Sequence, residues 1–368
     1  MDRVIYIATE YSGGMRPYAL AVLKSVWNSN SFVFIVIKDD VMMRDFADFP
    51  ADRVLFIHYP TSKIKRLLFR IYPAQLIRAV NHLMQNEQFD LIHTLTGELV
   101  LASCFTRLSK KIKILHTIHD AIHHDTKYLS VKQALKDLIL VDYPNKYIIK
   151  HADNILTNSK SQLSYLHDLY PRKHCFYCPF PSLINPDIEH GSKQVPELIG
   201  VNNYILFFGN LQLYKGVHLL YDLHHDDARL NCYPLVIAGA GNIYFSRNQD
   251  EKNTFFVNRF IRDDEIRDLF INAAVVVYPY ISATQTGVLS VASYFGKKMV
   301  LSNIPFFRDS GAGDYSGVKI ADVSDADEFA ADIINAITSE EGNTFEFYRK
   351  AYSKSSIKKQ ISEIYNEF

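Results

Sequence analysis

Short apolar runs rich in Val, Ile and Phe alternate with segments of helical periodicity along this chain, and that alternation limits its fold more than any other feature. The strand-like runs are Val4 to Ala8, Phe32 to Ile37, Val54 to Tyr59, Phe89 to Leu95, Ile112 to His119, Asn154 to Asn158 and Cys175 to Phe180. Strands joined through helices are parallel, and a parallel sheet needs helices on both faces. The pattern breaks at Pro179-Phe-Pro181 and through Asn185 to Lys193, then restarts with Tyr204 to Gly209, Pro234 to Ala238, Thr254 to Val257 and Ala273 to Tyr280. Two alternating blocks around an aperiodic linker predict two α/β domains, and 368 residues with 48% hydrophobic content suffice for a core in each. The expected domains are 1–181 and 182–345, with a cleft between them. The apolar side formed by Ile357, Ile361, Ile364 or Tyr365 and Phe368 predicts a carboxyl-terminal helix within 346–368.

Composition removes several classes of function. Forty basic and forty acidic side chains cancel, which argues against a general nucleic-acid binder. Cys175 and Cys178 form a C-x-x-C, yet they lie in an apolar run that ends in prolines, and no second pair completes a zinc site. No window reaches ~18 uninterrupted apolar residues, so no membrane span is expected. The chain opens directly on a strand without a leader pattern, which predicts a reduced, cytoplasmic protein.

The stretch from Tyr278 to Val288 is the strongest chemical signal. An apolar strand runs there into Thr284, Gln285, Thr286 and Gly287, and a helix-like segment follows. A strand end that opens a helix presents unpaired N–H groups to an anion, and the side chains add donors. The threonines would serve equally well as ordinary helix caps. Gly13 and Gly14, in the first strand-to-helix turn, either let a ligand approach the backbone or simply make the turn tight. Gly239-Ala-Gly-Asn242 lacks the third glycine of a dinucleotide fingerprint, Tyr244 standing in its place. Asp325-Ala-Asp327 precedes a helical apolar pattern and reads as a cap.

The run from Ile112 ends in His116, His119, Asp120, His123, His124 and Asp125, at spacings that match no zinc pattern. His119 and Asp120 fall at the strand's carboxyl end, where α/β sheets bind ligands, and are expected to contact substrate. His123 and His124 belong to the following loop. Earlier, Lys63, Arg66 and Arg70 share one side of a helix-like segment and Ile64, Leu67, Leu68 and Ile71 the other, with Pro73 predicting a kink or a fresh start. The expected arrangement packs the apolar side on the sheet. The other is peripheral contact with an anionic membrane, to which Lys110 to Lys113 and Lys146 to Lys150 would add charge.

Several of these motifs, in order, resemble the retaining glycosyltransferases of family 4. They are Ser12-Gly13-Gly14, His119-Asp120, Ala152-Asp153 to Lys160, Phe208-Gly209 to Lys215-Gly216, Ile237-Ala238-Gly239, Arg262 to Phe270, and Pro279-Tyr280 to Gly287 and on to Gly296-Lys297. The resemblance implies the GT-B fold, two facing Rossmann-like domains, and transfer of a sugar from a nucleotide-diphosphate sugar to a glycan or lipid-linked glycan. It implies that Lys215 meets the donor diphosphate, that Gly13, Gly14, Gly209 and Asn210 line the donor site, and that His119 with Asp120 stands at the reacting sugar. Thr284, Gln285, Thr286 and Gly287 would hold phosphates, and the terminal helix would cross back onto the amino-terminal domain. Two departures stand out: Asn210 replaces the usual arginine, and the Glu-x7-Glu acids are absent near Ala283 and Val291. With no acidic pair to bind a metal, positive protein groups are expected to serve instead, so neither metal nor other cofactor is anticipated. The competing readings are a nucleotide-sugar epimerase or phosphorylase on the same fold, and a catalytically decayed sugar-binding protein.

Overall fold

The computed structural model of the protein describes residues 3–121, 135, 138–248, 251, 253–283, 285–340 and 342–368. The chain divides into two compact units, Met1–Pro181 together with Lys354–Phe368, and Ser182–Ser353.

In the first unit the strands are β1 (Val4–Ala8), β2 (Phe32–Ile37), β3 (Val54–His58), β4 (Leu91–Thr96), β5 (Ile114–Ile118), β6 (Asn154–Thr157) and β7 (His174–Tyr177). They form one parallel sheet in the order β3-β2-β1-β4-β5-β6-β7. Every residue of β1 is buried, as a central strand covered on both faces requires. Strand order reverses beside β1: the chain builds outward to β3, then returns to place β4 on β1's other side. The carboxyl ends of β1 and β4 therefore flank a topological switch point, where the flanking loops diverge and leave room for a ligand.

The second unit repeats the plan with β8 (Tyr204–Phe208), β9 (Leu235–Ala238), β10 (Thr254–Val257), β11 (Ala273–Tyr278), β12 (Met299–Ser302) and β13 (Val318–Ala321), ordered β10-β9-β8-β11-β12-β13 and parallel throughout. Its switch point lies between β8 and β11. Asp325 caps the helix Ala326–Thr338, its carboxylate accepting the Glu328 N–H at 3.0 Å.

Three expectations need correction. The strands β12 and β13, four residues each, are missing from the strand-like runs read in the sequence, although β9 and β10, found there, are no longer. The tail does not leave at 346: the helix Phe345–Ala351 stays in the second unit, where Phe347 is buried against Tyr315 and Tyr348 packs on Tyr294, and only the helix Lys354–Tyr365 packs on the first unit's helix Met15–Val26. The basic helix forms over Lys63–Ile71 and a new one starts at Ala74 after Pro73, but its apolar side faces solvent instead of the sheet. Phe69 alone of its residues is buried, packing edge-on against Tyr59. Arg70 Nε donates to the Tyr59 hydroxyl at 2.7 Å, so this one turn anchors the helix.

Candidate active site

Each unit holds a polar cluster at its switch point. In the second unit β8 runs into Gly209, and a loop leads through a single 3-10 turn, Leu213–Lys215, to Gly216. Gly216 has φ 64°, and a Cβ there would lie 2.0 Å from the Pro279 carbonyl oxygen. Only glycine allows this contact, and it brings the Lys215 segment against the end of β11. The Ile281 and Ser282 N–H groups both donate to the Tyr214 carbonyl, at 2.8 and 3.2 Å, which ties the two loops further.

Lys215 is the product of this arrangement. Its ammonium sits 5.4 Å from the centre of the Tyr280 ring and 6.0 Å from that of Tyr214. It lies 3.0 Å from where a Cβ on Gly209 would stand, with the Tyr280 hydroxyl 3.7 Å from the same point. The residue is 9% exposed, and burial lowers its pKa below the ordinary lysine value. Among the described residues no carboxylate pairs with it. A buried ammonium without a counter-charge is costly, although the two aromatic faces recover part of that cost. Such a group is suited to receive an anion.

The loop after β11 is built less simply than expected. Tyr278 is buried with its hydroxyl unpartnered, and the Tyr280 carbonyl accepts a hydrogen bond from Ser302 Oγ at 2.6 Å. Gln285 and Thr286 are half-buried; Thr286 Oγ1 accepts the Val288 N–H at 3.4 Å from outside the cap position, which Gly287 holds without a side-chain cap bond. Gly287 is buried with an ordinary helical φ of −85°, and the helix it opens, Val288–Tyr294, has seven residues. Asn210 is exposed, and Thr284 lies outside the described residues.

In the first unit a cavity of about 440 Å³ opens at the carboxyl ends of β1, β4 and β5, with Glu10, Lys38, Arg70, Glu98, His119 and Asp120 in its wall. His119 Nε2 donates to the Leu95 carbonyl at 2.9 Å, and its ring meets Tyr18 edge-on at 4.4 Å. Asp120 is half-buried, and its carbonyl accepts from Asn145 Nδ2 at 3.3 Å. Gly13 and Gly14 stand in the turn before the helix Met15–Val26, Gly13 with φ 54°, and a Cβ added to either would meet nothing within 4 Å. They are not in the cavity wall, whereas Met15 is. His123, His124 and Asp125 lie outside the described residues.

The sequence reading overlooked Glu10 and Glu98. Both follow strands, β1 and β4, at the same carboxyl-terminal level as His119, but in the sequence each looks like an ordinary turn residue. Burial, then the neighbouring Glu10, pushes the Glu98 carboxyl up to about 7, against the pull of Arg70 and Lys38. At neutral pH Glu98 can therefore hold or release a proton. Among the described residues no group of three or more His, Cys, Asp or Glu is gathered so as to hold a metal ion.

Two doubly wound parallel-sheet units in one chain have the architecture of the GT-B fold. The chain belongs to the glycosyltransferases of this fold: residues 35–178 match Glycosyltransferase Family 4 and residues 192–355 match Glycosyl transferases group 1. No curated protein matches the sequence significantly. Among solved structures the chain is similar to Anabaena HepE in complex with UDP and glucose, with a TM-score of 0.67, 15% identity and full coverage of both chains. Sucrose-phosphate synthase from Thermosynechococcus elongatus gives a TM-score of 0.67 at 15% identity over 100% of this chain and 99% of that one. An α,α-trehalose-phosphate synthase (UDP-forming) from Burkholderia vietnamiensis gives 0.64 at 11% identity over the whole of both. At these identities the likeness speaks to the fold.

Proposed function

We propose that the enzyme moves a sugar from a nucleoside-diphosphate sugar to a hydroxyl of a glycan or lipid-linked glycan, with retention at the anomeric carbon, without a metal ion, at the inner face of a membrane. The observation that carries this reading is Lys215, a buried cation between two tyrosine rings with no acid of the described residues to neutralise it. A donor diphosphate supplies the missing charge. As the bond from the sugar to the diphosphate breaks, negative charge grows on the leaving oxygens. A fixed ammonium in a site of low dielectric stabilises that charge more in the transition state than in the ground state. The Tyr214 and Tyr280 rings keep water from the ammonium and so preserve its strength. His119 and Asp120, with Glu10 and Glu98, offer the mixed donors and acceptors that sugar hydroxyls require. The structure of HepE holds UDP and glucose, and the Burkholderia synthase is UDP-forming, which favours uridine among the bases.

The test is a thermal-shift screen of the full chain against UDP, GDP, ADP, CMP and dTDP, with and without EDTA, using the wild type and Lys215→Met. A ligand at 100 times its dissociation constant adds ~2.7 kcal/mol of stability. One diphosphate should raise the wild-type midpoint, and EDTA should leave the rise intact. Lys215→Met should fold at least as stably and show no rise, because methionine fills the same space without a buried charge. A folded wild type that responds to no diphosphate, or a variant that responds equally, overturns the proposal.

A further inference from the structure

On the helix Lys63–Ile71 the side chains of Ile64, Leu67, Leu68 and Ile71 are 74, 59, 61 and 61% exposed, and Tyr72 beyond it is 49% exposed. Single exposed aliphatic residues are commonplace, but a contiguous row on one helix face marks a surface with a partner. The charge around this row is of one sign. Lys63, Lys65, Arg66 and Arg70 lie within it or at its edge, and the segment from Thr61 to Tyr72 contains no acid.

A second apolar segment lies on the same unit. Leu138, Ile139 and Tyr143 are 49, 52 and 59% exposed, and Lys146 and Lys150 follow on the exposed side of the helix Tyr143–His151. Both helices pack against the helix Leu99–Ser109. Both also reach the same cavity, which takes Arg70 from one, Asn145 from the other and Leu140 from the segment just before it. The mouth of the first unit's site is thus bordered by two apolar segments, each accompanied by cations.

We propose that these two segments form a docking surface for an anionic lipid bilayer, which holds the cavity of the first unit at the headgroup layer. The occupant follows from charge complementarity. Aliphatic side chains in a row enter the boundary between headgroups and acyl chains, while lysine and arginine beside them meet lipid phosphates. For the route of the acceptor the inference rests on the proposed transfer to a lipid-linked glycan: such an acceptor would reach Glu98 and His119 from the membrane side. The docking deepens the membrane placement of that same reading, and vesicle binding tests it apart from donor binding.

The experiment is co-sedimentation of the full chain with phosphatidylcholine vesicles and with vesicles that also contain phosphatidylglycerol, at low and high salt. Two double variants are compared, Leu67→Ser with Leu68→Ser, and Lys65→Gln with Arg66→Gln. All four positions are exposed or half-buried, and unchanged melting temperatures verify folding. The wild type should bind the anionic vesicles and not the neutral ones, high salt should weaken it, and each double variant should lose roughly tenfold in affinity or more. The UDP-induced thermal shift, measured in parallel, should be the same in all of them, so the docking surface and the donor site can fail separately. Wild-type protein that ignores anionic vesicles overturns the proposal, as do variants that bind like wild type. It is also overturned by a wild-type dimer that Leu67→Ser with Leu68→Ser converts to monomer, since the row would then be covered by a second copy of the chain.

Discussion

Glu98 concentrates the chemistry of the first unit in one carboxyl group. Burial and the neighbouring Glu10 raise its pKa from 4.5 to about 7. The folded chain therefore keeps a proton that the unfolded chain gives up. This contribution to stability is complete below pH 4.5 and is lost as the pH rises through about 7. Glu98→Gln keeps the shape and cannot ionise. We expect it to match the wild type at pH 4 and to exceed it above neutrality by up to roughly 3 kcal/mol. Urea unfolding across that range measures the difference, and a difference that does not vary with pH would mean that the carboxyl is already well solvated. Residues of this kind are only partly legible in a sequence. His119 and Asp120 could be singled out because strand position and residue type agree there, whereas Lys215, in a turn seven residues beyond β8, came only with the family resemblance. Glu10 and Glu98 sit at equivalent strand ends but resemble ordinary turn residues, and their burial is a tertiary fact.

At the scale of elements, the two glycine-ended strands of the second unit explain what local pattern conveys and what it omits. Gly239-Ala-Gly fails as a dinucleotide fingerprint, and the structure gives it a different task. Gly239 has φ 148°, and a Cβ there would stand 2.0 Å from the Gly209 carbonyl oxygen, so the ends of β8 and β9 meet backbone to backbone. The Leu211 N–H donates to the Ala240 carbonyl at 2.9 Å, which seats the loop that carries Lys215. Gly239→Ala should cost ~2 to 4 kcal/mol through strain and overlap. It should also weaken nucleotide binding, although nothing identifies Gly239 as a donor contact. Urea unfolding and the diphosphate thermal shift check both effects, and a stable variant with undiminished binding would show that the two strand ends can separate without consequence. The helix Lys63–Ile71 teaches the complementary point. Its period correctly grouped the residues of each side, but period does not say which side faces in, and the anchoring pair Phe69 and Tyr59 decides that.

At the scale of the whole molecule, the chain's last helix completes a core whose other members precede residue 182. Ile357, Ile361, Ile364 and Tyr365 are all buried, on a helix that packs against Met15–Val26. The apolar spacing announced the helix, whereas its docking site depends on contacts across the length of the chain. Tyr365 makes the most specific of them: its hydroxyl meets His93 Nδ1 at 2.7 Å, while His93 Nε2 meets Thr117 Oγ1 at 2.9 Å. Burial lowers the His93 pKa to about 3, so the ring is neutral and each nitrogen needs its partner. Tyr365→Phe preserves the packing and removes one partner from a buried nitrogen, a loss of about 1 to 3 kcal/mol. The effect should be confined to one unit, and the protein carries its own reporter. Trp27, the chain's one tryptophan, caps the helix Met15–Val26. In urea, the Trp27 fluorescence transition of Tyr365→Phe should move to lower denaturant, while stabilisation by the diphosphate, read through the second unit, should persist under native conditions. An unmoved Trp27 transition would mean that the tail is held by its isoleucines alone. A parallel loss of nucleotide binding would mean that the first unit's core and the Lys215 site unfold as one.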